Sequence, residues 1–255
     1  MNRVELERSS LGLRSHQECF FRGHANSDFQ LLPSLYRRRD RTYDEYIKLE
    51  RRMFFEFRTR ARQLYDSDYS DWDILFHMQH HGVPTRLLDW TSVFGVALYF
   101  ALLNYEEGAP FSPCIWLLNP YSLNHAAWKL HRLFSPKYLA REEGENRSYE
   151  YSELLLGTHP IDWNTPLAIY SHQRSERMFA QNGWFTIHGT DLRAIEEVFD
   201  VAPNRGGVLR KIPIPQAAIP AARQFLDAAG IGHRQLFPDL DGLARAVCEK
   251  FGISQ

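Results

Sequence analysis

Cysteine and long apolar runs are scarce in this sequence. Its three cysteines, Cys19, Cys114 and Cys248, are widely spaced and form no C-x-x-C pair, which argues against a zinc site and a disulfide framework. The longest apolar run, residues 93–103, is much shorter than the roughly 20 residues that span a bilayer. The N-terminus is charged and contains no apolar signal region. We therefore expect a cytoplasmic protein that has no membrane contact and binds no metal.

An excess of one charge is also missing. The chain has 30 basic and 31 acidic residues and a formal net charge of −1, so no overall field favours nucleic acid. The sequence contains no G-x-G-x-x-G, P-loop, G-x-S-x-G or H-E-x-x-H motif. These absences weaken assignment to the conventional dinucleotide-binding, nucleoside-triphosphatase, hydrolase and zincin classes.

The chain has enough length and apolar content for a substantial core. It has 255 residues, of which 44% are hydrophobic, and it shows no repeat or dividing linker. Apolar patterns and turn signals predict helices over residues 42–65, 72–81, 93–103, 123–130, 217–229 and 240–251. They predict strands over 18–23, 114–118, 166–170, 184–188 and 207–214, and a strand or extended segment at 87–88. We predict a single α+β domain over residues 1–255, with its core at about 18–245. Several helices pack on a mixed, mostly antiparallel sheet.

The densest combination of signals lies in residues 79–103. Gly82 and Pro84 must end the preceding helix. The polar run Asp89-Trp90-Thr91-Ser92 then supplies N-cap chemistry for the apolar run 93–103, which we expect to be a buried helix. A polar turn between two buried elements is a favourable place for a functional site.

Several polar residues are candidates for that site. Arg22, followed by Gly23, can present its planar guanidinium to a phosphate, although a surface ion pair is the simpler interpretation. Arg86 and Asp89 either pair with each other or face a substrate. His80 and His81 are adjacent and lack a third ligand at helical spacing, so they make a poor metal site. Gln181 precedes a predicted strand and can reach a pocket edge.

Four motifs resemble those of the FRG domain family, which takes its name from the first of them. They are Phe21-Arg22-Gly23, LLPSL at 31–35, QHHGVPTRLLDWT at 79–91 and FPDLDGL at 237–243. The resemblance extends over residues 18–245. The family consists mostly of uncharacterised bacterial and phage proteins, many of them suspected of roles in phage defence or toxin–antitoxin systems. It therefore implies a bacterial or phage-associated effector with a possible antitoxin or defence partner.

The order of elements is also similar, more weakly, to the ADP-ribosyltransferases of the Arg–Ser-Thr-Ser–Glu type, and so implies an ADP-ribosyltransferase-like fold and NAD as substrate. By that resemblance Arg22 and Gly23 hold the phosphate region, Thr91 and Ser92 support the nicotinamide pocket, with Arg86 nearby, and Gln181 replaces the catalytic glutamate. The departures from the pattern are the Asp89–Ser92 turn and the missing Glu-x-Glu pair. Either Asp89 or Glu176 supplies the missing charge, or the acceptor is attacked in a different way, or the protein binds NAD-like ligands without cleaving them.

Three hypotheses follow. The first is an NAD-using ADP-ribosyltransferase or NAD glycohydrolase of toxin type, with Arg22, His80, Asp89 and Gln181 as catalytic residues and an unidentified macromolecular acceptor. The second is a nucleic-acid-binding or RNA-cleaving module that uses the basic helix face from Arg51 to Arg62 and the run Arg37–Arg39. The third is a catalytically silent domain that senses a ligand or partner.

Overall fold

The structure is a computed structural model. It describes residues 2–61, 69–139, 147–158, 164–170, 176–199 and 207–253. The end of the predicted helix at 42–65, including Arg62, lies outside these residues. Among the described helices, none combines the length and the apolar character needed to cross a bilayer.

A six-stranded antiparallel sheet forms the centre of the molecule, and its strand order is β4-β5-β2-β1-β3-β6. The strands are β1 (Phe20–His24), β2 (Leu87–Thr91), β3 (Cys114–Leu118), β4 (Leu167–Ile169), β5 (Gly183–Ile187) and β6 (Leu209–Pro213). Neighbours in the sheet are often distant in sequence, as with β2 and β5. The prediction of an α+β fold with a mostly antiparallel sheet is confirmed.

Helices surround this sheet. They are α1 (Asn2–Ser10), α2 (Tyr43–Ala61), α3 (Asp71–His80), α4 (Phe94–Leu103), α5 (Pro120–Trp128), α6 (Tyr151–Leu156), α7 (Glu176–Ala180), α8 (Ile195–Val198), α9 (Ile219–Ala228), α10 (His233–Leu236) and α11 (Leu240–Lys250). The prediction missed α1 and the short helices α6, α7, α8 and α10. Four of these five are six residues long or shorter, which is too short for a helical period to show.

The prediction placed Asp89, Trp90 and Thr91 in a turn, but they lie in strand β2. Val93 is the N-cap of α4 and has no side-chain capping bond. Thr91 still contributes, since its Oγ1 accepts a hydrogen bond from the Val93 amide at 3.1 Å. Trp90 is buried in the sheet, and strand β2 continues to Thr91. Helix α4 begins at Phe94, one residue later than predicted.

Strand β1 lies directly against α4. A Cβ atom built on Gly23 would overlap the backbone of Ala97 and Ala101 in that helix. Phe21, Ile115 and Leu117 share one core cluster with Ala97 and Ala101, while Phe20, Trp90 and Trp116 belong to a cluster on alternate strand positions. Glycine at position 23 is therefore needed for this close packing. The space left by its missing side chain is filled by the helix and is not open to a ligand.

The two central strands separate soon after they meet. Strands β1 and β2 both lie within the described residues, and they pair through Phe21 and Thr91 alone. Strand β2, in contrast, pairs with β5 through five residue pairs. Beyond Phe21 the sheet opens on the side of α4. A cavity lies in this opening.

Candidate functional site

A cavity of about 300 Å³ lies at the opening between β1 and β2, at the lower end of the range for small-molecule sites. It is open to solvent on one side. Among the sequence candidates, Arg22, Gly23, His80, Asp89, Thr91 and Gln181 line it. The tertiary structure therefore brings together six of the eight predicted site residues.

Arg22 spans the opening between the strands. Its Nη1 donates to the backbone carbonyl oxygen of Asp89 at 2.6 Å, an acceptor that regular strand pairing would otherwise satisfy. Its Nε donates to Nε2 of His24 at 3.0 Å. The guanidinium is thus held in a fixed orientation beside the cavity. Burial lowers the pKa of Arg22, and the carboxylate of Asp89 opposes that shift, so the side chain remains a cation at neutral pH.

His24 is the partner that orients Arg22. Its Nδ1 lies 3.2 Å from the carbonyl oxygen of Phe29, which can only accept a hydrogen bond. The proton is therefore on Nδ1, and Nε2 is free to accept from Arg22. Burial, followed by the charge of Arg22, lowers the pKa of His24 to about 3. The neutral ring can thus accept this bond across the physiological pH range.

Asp89 supplies the carboxylate of the cavity. Its Oδ2 accepts a hydrogen bond from Nε2 of Gln79 at 2.8 Å and lies 3.8 Å from Nη1 of Arg22. The side chain is 55% exposed, which leaves it open to a ligand. Glu176, the other acidic candidate, begins α7 and is exposed, and it is not among the residues that line the cavity.

Arg177 is a second cation at the cavity wall, and the sequence prediction did not include it. Its guanidinium carbon lies 4.3 Å from the ring centroid of Phe237, in a cation–π contact. Burial lowers the pKa of Arg177, while the carboxylates of Asp239 and Asp89 oppose that shift. Within the described parts of the chain its guanidinium has no hydrogen bond or ion pair, so its donors remain available to a ligand.

Aromatic rings form much of the remaining wall: Phe21, Phe76, Trp90, Phe100, Trp184 and Phe185. Phe76 and Phe185 are stacked, with their centroids 4.9 Å apart. His80 also lines the cavity, and burial together with the charge of Arg177 lowers its pKa. A neutral imidazole, two cations, one carboxylate and flat apolar walls suit a ligand that combines a ring with anionic groups.

Arg86 and Ser92 are the two predicted site residues that do not line the cavity. Arg86 is buried and donates from Nε and Nη2 to Oε2 of Glu50, at 2.8 and 2.5 Å. The predicted alternatives for Arg86, a pair with Asp89 or a contact with substrate, are therefore not observed. Ser92 lines a separate, smaller cavity beside α1.

Thr91 and Gln181 join the cavity wall to neighbouring segments. The Thr91 hydroxyl donates to the backbone carbonyl of Gln181 at 2.7 Å. The side-chain Nε2 of Gln181 donates to the carbonyl of Leu236 at 3.0 Å. These contacts connect β2, the turn before β5 and the end of α10. Both residues thus support the wall, in addition to any contact with a ligand.

The residues that the prediction missed have weak sequence signals. His24 lies two positions after Arg22, and alternate strand residues share a face, so its position beside Arg22 could have been predicted from the sequence. Gln79 belongs to the motif at 79–91 but was not predicted to be a site residue. Arg177 lies in a helix of five residues, and Phe237, its cation–π partner, is sixty positions further along the chain. Among the described residues, no group of three or more His, Cys, Asp or Glu could hold a metal ion.

Comparison with known proteins gives one result. Residues 17–109 match the model of the FRG domain, and this range contains β1, β2 and most of the cavity residues. No curated protein and no solved structure matches the chain. The extension of the same domain to residue 245 and beyond stays a prediction. Residues 17–109 therefore contain an FRG domain.

Proposed function

We propose that this protein uses NAD as a substrate, as an ADP-ribosyltransferase or an NAD glycohydrolase, and that the cavity between β1 and β2 is its active site. The observation that carries the proposal is the placement of the Asp89 carboxylate beside Arg22 in an aromatic-walled cavity. NAD has the matching parts, namely aromatic bases, riboses and a diphosphate.

The chemistry requires a carboxylate at this position. Cleavage of the nicotinamide–ribose bond builds positive charge on the ribose, and a fixed negative group stabilises that charge in the transition state. Asp89 provides the acidic side chain in the described part of the cavity wall. The departing nicotinamide takes the bonding electrons, and the ribose is captured by water or by an acceptor nucleophile.

The two cations suit the diphosphate. Arg22 is fixed by His24 and the Asp89 carbonyl, so it loses little conformational freedom when it binds an anion. Arg177 is stacked on Phe237, and its hydrogen-bond donors are unused within the described residues. Charge-assisted hydrogen bonds from arginine to phosphate are among the stronger polar contacts in proteins.

The structure gives less support to the nucleic-acid hypothesis. Arg58 pairs with Asp71 at 2.9 Å, and Arg60 pairs with Glu56 at 2.6 Å. In the run Arg37–Arg39, Arg39 pairs with Glu197 at 3.0 Å and Arg38 with Asp40 at 3.5 Å. These acidic partners reduce the positive field that would attract phosphates. No specific observation favours that function over the first.

The experiment is an assay of nicotinamide release from NAD by the purified protein, with and without cell lysate. We expect release by the wild-type protein and a loss of about 100-fold or more in Asp89→Asn, which keeps the shape of the side chain and removes its charge. The matched control is Asp227→Asn, in which the exposed residue lies on α9 outside the cavity.

Two outcomes would contradict the proposal. One is a folded wild-type protein that releases no nicotinamide under either condition. The other is an Asp89→Asn protein as active as the Asp227→Asn control. If release needs the lysate, transfer to a macromolecular acceptor is favoured, whereas equal release without lysate indicates hydrolysis.

The proposal includes an effector role of toxin or phage-defence type. Loss of NAD, or modification of an essential macromolecule, would arrest the cell that makes the protein. We expect induced expression of the wild-type chain to stop bacterial growth and the Asp89→Asn chain to be tolerated. Normal growth with the wild-type protein present and active would contradict this role, and a partner that restores growth would be the antitoxin.

A further inference from the structure

We propose that Thr85 and Gln79 are positioning residues that hold the Asp89 carboxylate and direct one of its oxygens into the cavity. The hydrogen-bond geometry carries this inference, while the catalytic use of the carboxylate rests on the proposed function above. Neither residue was a sequence candidate, and Thr85 does not line the cavity.

The chain of bonds begins at the Thr85 hydroxyl, which is completely buried. Its Oγ1 accepts a hydrogen bond from the Leu87 amide at 3.1 Å. Its single proton is donated to Oε1 of Gln79 at 2.5 Å. A hydroxyl has one proton to donate, and here that proton is committed to Gln79.

This bond determines which way the Gln79 amide faces. Because Oε1 accepts from Thr85, the NH₂ group must point the other way, and its Nε2 donates to Oδ2 of Asp89 at 2.8 Å. The Oδ1 atom of Asp89 accepts no hydrogen bond from the residues that the structure describes. The carboxylate is therefore fixed through one oxygen, and the other remains available to a ligand.

Thr85 is itself held by a second family motif. Its amide donates to Oγ of Ser34 at 3.3 Å, and its carbonyl accepts from the Leu35 amide at 3.2 Å. Ser34 and Leu35 belong to the LLPSL segment, which is far from Asp89 in sequence. One line of hydrogen bonds thus connects that segment, the end of α3 and the carboxylate on β2. This geometry gives the LLPSL segment a role in the site although it does not line the cavity.

The effect of the chain can be separated from that of the neighbouring charges. Arg22 on β1 and Arg177 on α7 act on Asp89 electrostatically, and His80 on α3 shares the cavity wall. These groups stay in place when Thr85 or Gln79 is changed. The Gln79 donor fixes the position of Oδ2, and its loss leaves that oxygen without this hydrogen bond while the neighbouring charges remain.

The test is the ¹³C NMR signal of the Asp89 side-chain carboxyl group, recorded at neutral pH. We expect this signal to move in Gln79→Leu and Thr85→Val, because the first variant loses the hydrogen bond to Oδ2 and the second no longer orients its donor. Thr85→Ser keeps the hydroxyl, and its Asp89 signal is expected to match that of the wild-type protein. Thermal unfolding checks that each variant is folded.

The kinetic readout is nicotinamide release at neutral pH. In Gln79→Leu and Thr85→Val we expect a lower kcat and little change in KM, with recovery in Thr85→Ser. A merely structural role for Thr85 would lower stability without lowering the kcat of the folded protein. The glutamine variant keeps the test available if Thr85→Val does not fold.

Each outcome separates this inference from the proposed function. An Asp89 carboxyl signal that is unchanged in folded Gln79→Leu overturns the positioning role, and so does a Thr85→Ser protein whose signal moves as far as that of Thr85→Val. If the signal moves as expected while the wild-type protein releases no nicotinamide, the positioning role stands and the proposed function fails. If release depends on Asp89 but the signal moves in neither variant, the proposed function stands and the positioning role fails.

Discussion

Arg86, the residue before β2, and Glu50 in the middle of α2 form an ion pair in which both side chains are almost completely buried. The Tyr151 hydroxyl donates to the second oxygen of Glu50 at 2.5 Å, so α6 is joined to the same pair. The charge of Glu50 raises the pKa of Arg86 and outweighs its burial. This residue stabilises the interior and leaves the cavity to Arg22.

We predict that Glu50→Gln strongly destabilises the protein. Removal of one charge leaves a buried, uncompensated guanidinium, which typically costs about 3–5 kcal/mol. Urea denaturation gives the free energy of unfolding. Glu56→Gln, on the same helix, removes a solvent-exposed partner of Arg60 and is expected to change stability by less than about 1 kcal/mol. Similar losses in the two variants would contradict the interpretation.

We predict that Gly23→Ala is destabilising because of packing rather than ligand binding. The added methyl group would overlap the backbone of α4 at Ala97 and Ala101, and a helix backbone cannot move aside as a side chain can. We expect a loss of about 3 kcal/mol or more in unfolding experiments. Gly183→Ala is the control, since its Cβ would meet Met178 only at an ordinary contact of 3.6 Å. A fully stable Gly23→Ala protein would show that α4 does not pack as described.

Arg177 is predicted to contribute to NAD affinity. Because its guanidinium stacks on Phe237 at the cavity wall, Arg177→Ala should remove one charge-assisted contact and weaken binding by about tenfold or more. Calorimetric titration with NAD and with ADP-ribose measures the change. Arg223→Ala alters an arginine that is half exposed on α9 and should bind as the wild-type protein does. Equal affinities in both variants would exclude Arg177 from the site.

The buried His188 predicts a loss of stability in acid. Burial, together with the charge of Arg86, lowers the pKa of His188 to about 3, and neither ring nitrogen has a hydrogen-bond partner within the described residues. The unfolded chain takes up the proton near pH 6.5, so the stability that depends on the neutral ring is present above that pH. It is lost as the pH falls from about 6.5 towards 3, by about 2 kcal/mol at pH 5.

The measurement is the free energy of unfolding at pH 7 and pH 5. We expect the difference between the two values to shrink by about 2 kcal/mol in His188→Gln, because the proton linkage is removed. His16→Gln, at an exposed histidine, should leave the difference unchanged. An equal pH dependence in His188→Gln and wild type would show that the ring is not kept neutral by burial.

The longer helices and the strands were the features that the sequence predicted best. Strand Cys114–Leu118 is found as predicted, and Asp71–His80, Phe94–Leu103 and Leu240–Lys250 begin and end within two residues of the predicted helices. These segments have long apolar patterns or clear stop signals such as Gly82. The short helices were missed because they contain too few residues for a period to appear.

The sequence by itself determined the α+β class, the family motifs and most of the candidate residues, because these depend on local patterns. Only the tertiary structure decided which candidates meet. Arg86 and Asp89 are three positions apart, yet Arg86 pairs with Glu50 and Asp89 lies beside Arg22. Strand β1 separates from β2 after one pair, and Gln79 reaches Asp89 from α3. Such contacts depend on how distant segments pack, and spacing along the chain contains no information about that.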